Sequence, residues 1–114
     1  MTFLAIFYQR GDILDIGKAR SLTIEEFSKI FKTKSKKAIR YYALNGGCYL
    51  FARIMNDKLG GNYSFLISEY RDHCALRING KVYDYDGFHS IKNFKEMSES
   101  DLDWCEKNFP YSNC

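Results

Sequence analysis

A cysteine, a histidine and an acid, met in that order along a chain, are the ingredients of a thiol nucleophile, and this sequence offers Cys48, His73 and the pair Asp84 and Asp86. Cys48 follows Asn45-Gly46-Gly47 and leads into an apolar run, so it stands at the mouth of a helix. Helix starts concentrate unpaired N–H groups and the positive end of the macrodipole, which favours thiolate over thiol. A carboxylate beside His73 fixes the ring tautomer and stabilises the imidazolium, which in turn stabilises a nearby thiolate. Such a thiolate attacks a carbonyl carbon. The oxyanion that forms needs donors, and the candidates are the Cys48 N–H and the side-chain amide of Asn45.

For these groups to meet, a helix and a β-hairpin must pack together. The helix opening at Cys48 runs to about Leu59 and stops at Gly60-Gly61; Leu50, Phe51, Ile54, Met55 and Leu59 cover more than one stripe, so it is buried from several sides. Cys48, Ala52 and Met55 share a face. Residues 63–70 read as a strand, and Asn79-Gly80 is a hairpin signal because a type I′ turn needs positive φ at both central residues. With those two as the loop, His73 comes opposite Asp86 and Ala75 opposite Asp84. Alternation then puts His73, Ala75, Val82, Asp84 and Asp86 on one side and Cys74, Leu76, Tyr83 and Tyr85 on the apolar other. The expectation is that a packed helix offers its thiol to the first side.

The remaining segments supply scaffold. Residues 3–8 are too few to separate a strand from a helical turn, and 11–17 suit a loop or short edge strand. A helix is expected from Thr23, where Thr23-x-x-Glu26 resembles a capping box and Ile24, Phe27, Ile30 and Phe31 make one apolar face. The Lys32–Lys37 stretch reads as a solvated turn before a second helix over 38–44. A last helix begins at Ser98 or Ser100, carries Leu102, Trp104, Cys105 and Phe109, and ends at Pro110. The fold class expected is α+β, a single domain over 1–114 with N-terminal helices, among them the buried nucleophile helix, packed on a small antiparallel sheet.

Composition narrows the function classes. With 46% apolar and 17% aromatic residues the chain is far from disordered, and a net charge of +3 is too small to argue nucleic-acid binding, despite the cluster Lys29, Lys32, Lys34, Lys36, Lys37 and Arg40. No stretch approaches the roughly 20 apolar residues of a membrane span. Four cysteines allow two disulfides in an exported protein, yet the N-terminal apolar run lacks a basic flank and a cleavage site. A cytoplasmic protein with reduced thiols is the expectation. The cysteines lack Cys-x-x-Cys spacing, and the chemistry outlined requires neither metal nor cofactor.

The order and spacing of Gly46-Gly47-Cys48-Tyr49-Leu50-Phe51-Ala52, Asp72-His73-Cys74-Ala75-Leu76 and Tyr83-Asp84-Tyr85-Asp86-Gly87 resemble the papain-like and transglutaminase-like superfamily of cysteine hydrolases and acyltransferases. The resemblance covers about residues 45–87 and implies a small bacterial or phage papain-fold protein. It assigns Cys48 as nucleophile, His73 as base and then acid, and Asp84 or Asp86 as the group that orients His73. It implies a protein or peptide substrate whose amide is hydrolysed, deamidated or transferred. The family's acid often precedes a glycine by three residues, which favours Asp84, whereas hairpin pairing favours Asp86. No glutamine precedes Cys48 at the peptidase spacing; Tyr41 and Tyr42 stand there.

Bland readings accompany each residue. Cys48 could be a small core residue, the acids could solubilise a strand face by pairing with Arg77, and His89 reads as a surface loop residue. Cys74 points into the apolar layer but rivals Cys48 by its place beside His73, whereas Cys105 and Cys114 read as incidental thiols. The alternative function is a non-catalytic binder on the same scaffold, such as a phage or mobile-element effector of a host protein.

Overall fold

Helix α1 (Ile16–Ile30) opens seven residues before Thr23 in the computed structural model, which describes residues 15–108. The expected segment 3–8 and the Phe109-Pro110 end of the last helix lie outside those residues. Asp15 is the true cap: its Oδ1 accepts the Lys18 N–H at 2.7 Å. Thr23 is therefore mid-helix, fully buried, with its hydroxyl donating to the Ala19 carbonyl at 2.7 Å. Ala19, Thr23 and Phe27, four apart, form the buried stripe.

Exposed lysines fill the turn that follows, as expected. Helix α2 (Lys36–Leu44) starts two residues early because Ser35 caps it, its Oγ accepting the Ala38 N–H at 3.1 Å. Helix α3 (Cys48–Lys58) follows after one tight turn. Gly46 takes φ +95, and Gly47 lies so near α2 that a Cβ there would meet the Tyr42 carbonyl oxygen at 2.6 Å. The glycine pair thus serves close packing of the α3 entrance, with the Gly47 N–H donating to that same carbonyl at 2.9 Å.

A five-stranded antiparallel sheet completes the fold: β1 (Ser64–Ser68), β2 (Cys74–Ile78), β3 (Lys81–Asp84), β4 (Gly87–His89) and β5 (Phe94–Glu96), in the order β4-β3-β2-β1-β5. Asn79 and Gly80 both take positive φ, and Leu76 pairs with Tyr83, the register derived from the sequence. The two short edge strands were not expected. Only Ser90–Asn93 link β4 to β5, at opposite edges of the sheet. The five steps from His89 to Phe94 span at most about 18 Å extended, whereas a flat sheet would separate those edges by roughly 19 Å. The sheet must curl, and its concave side holds Leu66, Ala75 and Val82 beneath Ile91 and Phe94.

Helix α3 packs on the convex side, where Leu50, Phe51, Ala52 and Met55 meet Leu76, Ile78 and Tyr83. This corrects the expectation that the helix faces the histidine and acids. Burial of large apolar side chains, worth about 1.5–3 kcal/mol each, decides which face is covered. Helix α4 (Glu99–Lys107) closes the cysteine end with the capping box of Ser98 and Asp101. It is clasped there twice: buried Asp101 pairs with Arg71 at 2.5 Å, and Glu106 pairs with Arg53 at 3.0 Å while accepting the Tyr49 hydroxyl.

Candidate active site

His73 precedes β2 by one residue, and its position is set by Ser68 at the end of β1. The Ser68 hydroxyl donates to the Asp72 carboxylate at 2.6 Å and accepts the backbone N–H groups of Asp72 and His73, each at 3.0 Å. The Ser68 N–H donates to the His73 carbonyl at 2.9 Å. One buried hydroxyl therefore fixes the turn that presents the imidazole. The ring lies against the edge of Phe94, with centroids 6.2 Å apart.

From that position the His73 Nε2–H donates to Asp84 Oδ2 at 2.7 Å. Asp84 is 7% exposed, and its other oxygen accepts the His89 Nε2–H at 2.8 Å and the Asp86 N–H at 2.9 Å. Burial, the largest single influence, pushes this carboxyl up; the hydrogen bonds from His73 and His89 and their charges outweigh it and hold it below the ordinary range. A three-donor carboxylate of this kind is an acceptor at neutral pH.

Asp86 belongs to a different contact. Strand β3 ends at Asp84, so the alternation that would align Asp86 with His73 stops there, and the side chain turns toward α2. It takes both the Nε and Nη2 of Arg40, at 3.0 and 2.8 Å. Arg77 pairs with Glu96 of β5 at 3.1 Å and engages neither acid. Asn45 caps α2, donating its amide to the Tyr41 carbonyl at 3.0 Å, which employs the group expected at the oxyanion. His89, read as a loop residue, is a strand residue opposite Val82 and joins Asp84. The signal was Tyr85-Asp86 between Asp84 and Gly87, a two-residue connection that folds the chain back antiparallel.

Cys48 reaches the same corner from the convex side. Its Sγ accepts the Cys74 N–H at 3.3 Å, which by standard backbone geometry puts the sulfur within about 6 Å of the His73 Cα. Two features favour negative charge on this sulfur once it is reduced: that N–H and the positive end of the α3 dipole. Cys48 is nonetheless 2% exposed and its sulfur is engaged in a disulfide, so the expectation of a reduced Cys48 thiol is corrected here. Cys74 and Cys105, both buried in the same cluster, are not in disulfides. Burial pushes Cys74 well above the ordinary thiol value and Cys105 above it, so neither is a thiolate at neutral pH. Among the described residues no group of three or more His, Cys, Asp or Glu is arranged to hold a metal, and no helix is long and apolar enough to cross a membrane.

The fold and this corner define an α+β protein with an antiparallel sheet, a cysteine-headed helix on one side and a His-Asp-His cluster on the other. The family model for Phage YunG-like protein matches residues 23–113, most of the chain and all of this site, and the protein belongs to that family. No curated protein and no solved structure matches it.

Proposed function

We propose that this protein is a thiol-dependent amide hydrolase or acyltransferase of papain-like type, with Cys48 as nucleophile, His73 as base and acid, and Asp84 as the group that orients His73. The observation that carries this reading is the Cys74 N–H on the Cys48 sulfur, because it puts the sulfur within about 6 Å of the backbone of His73, whose ring is backed by a buried carboxylate. With Nε2 committed to Asp84, Nδ1 is the ring nitrogen that would take the thiol proton. The sulfur then attacks an amide carbonyl, forming a C–S bond. The tetrahedral intermediate collapses with loss of the amine, which takes its proton from His73. Water or a second amine cleaves the thioester and regenerates the thiol. Because Cys48 is held in a disulfide, the active form is the reduced one, and a thiol reductant supplies the two electrons. The substrate is a protein or peptide, and the reaction uses no cofactor.

The test is release of ammonia or amine from a panel of peptide and glutaminyl amides by the full chain, with and without prior reduction. Activity that appears on reduction and vanishes in Cys48→Ala and His73→Ala supports the proposal; turnover surviving Cys48→Ala ends it.

A second reading, a binder of a host protein on the same scaffold, is favoured by the 2% exposure and disulfide of Cys48, which suit a structural staple. On that reading reduction lowers stability and elicits no amide turnover.

A further inference from the structure

We propose that His89 is a positioning residue of this site, holding the Asp84 carboxylate in the rotation that leaves Oδ2 to His73. A carboxylate turns about a broad, roughly two-fold torsion, so a single donor on one oxygen does not fix its plane. Oδ2 of Asp84 is given to His73, and Oδ1 is held by two donors, the His89 Nε2–H at 2.8 Å and the Asp86 N–H at 2.9 Å. The Asp86 N–H is only two residues along the same turn and moves with Asp84. His89 comes from β4, paired opposite Val82, so it is the donor that ties Oδ1 to a separate strand.

No packing requirement explains this ring orientation, since the His89 side chain is 44% exposed. Among the described residues its side chain bonds to Asp84 alone, so the contact itself is what orders it. The arrangement makes Asp84 the centre of a relay, with one imidazole turned to the chemistry and the other bracing the acid from outside. What His89 contributes to turnover rests on the function proposed above; the bracing of Asp84 does not.

The test is nuclear magnetic resonance of the full, reduced chain, reading the His73 Nε2–H proton and its exchange with water. In His89→Ala this proton should broaden or exchange several-fold faster while the thermal midpoint stays near that of the wild type, and His89→Gln, which restores an N–H donor, should recover it. In turnover, His89→Ala should lower kcat by about tenfold or more with little change in KM, as when a positioning contact is lost, again with recovery in His89→Gln. An unchanged His73 proton in His89→Ala overturns the proposal whatever the turnover. A displaced proton in a protein that cleaves no amide upholds the bracing and removes only the enzyme reading. Should His89→Ala not fold, the His89 Nε2–H proton of the wild type decides: its loss in Asp84→Ala, which removes the acceptor, supports the contact, and its persistence there overturns it.

Discussion

The backbone N–H of Cys74 points at the sulfur of Cys48, 3.3 Å away, so the residue after the candidate base touches the candidate nucleophile through its main chain. The contact joins the head of α3 to the start of β2 and makes the corner a single unit. Because the donor is a peptide N–H, no substitution at Cys74 except proline removes it.

Thiol reactivity should follow this asymmetry. After mild reduction and alkylation near pH 7, peptide mass spectrometry should show Cys48 modified well before Cys74 and Cys105, whose thiols burial pushes up. Without reduction Cys48 should stay unmodified because it is disulfide-bonded. Equal labelling of all three after reduction would remove the case for an activated Cys48.

The two acids should separate cleanly. Asp84→Asn leaves two imidazoles without their carboxylate and should lower stability by about 1–3 kcal/mol, the range for lost hydrogen bonds to a buried charge. It should also abolish most amide turnover. Asp86→Asn breaks only a surface pair with Arg40 and should leave turnover near that of the wild type. Urea denaturation and the amide assay read the two effects separately.

Acid should destabilise the fold through two carboxyls in particular. The Asp101 value is depressed chiefly by the backbone hydrogen bond from Ser98, and the Asp84 value lies low because its histidine bonds outweigh its burial. A depressed folded value contributes stability that is complete above the unfolded value, about 3.9, and is lost as pH falls through the folded one. Urea midpoints should therefore hold steady as pH drops toward 5 as far as these acids are concerned, then decline on further acidification. In Asp84→Asn the acid limb should be shallower.

Gly47 should tolerate no side chain. A Cβ would lie 2.6 Å from the Tyr42 carbonyl oxygen and 3.2 Å from Phe27 Cζ, so Gly47→Ala must separate α2 from α3 or displace the α3 head. The expected loss is about 1–3 kcal/mol, typical of overpacking. A lower urea midpoint with an unchanged slope would show it; an unaltered midpoint would mean the backbone yields freely.

Helix α3, the Asn79-Gly80 hairpin and its register were legible in the sequence, because a long apolar period and a turn that demands positive φ act locally. Helix ends were less so. Asp15 displaced Thr23 as the α1 cap because both offer a side-chain oxygen, and only the packing of Ala19, Thr23 and Phe27 into the core settles which turn is helical. The two edge strands eluded the pattern because three residues carry no readable period.

What the sequence alone determined is the cast and its order: a cysteine heading a buried helix, then a histidine and an acid on one face of a ribbon. The tertiary structure decided the rest. It turned α3 onto the apolar face, curled the sheet around the other, gave Asp86 to Arg40, brought His89 to Asp84 and engaged Cys48 in a disulfide. Alternation along a strand says which side chains share a side, whereas which side is covered and which partner lies across space depends on burial and on contacts between residues far apart in the chain.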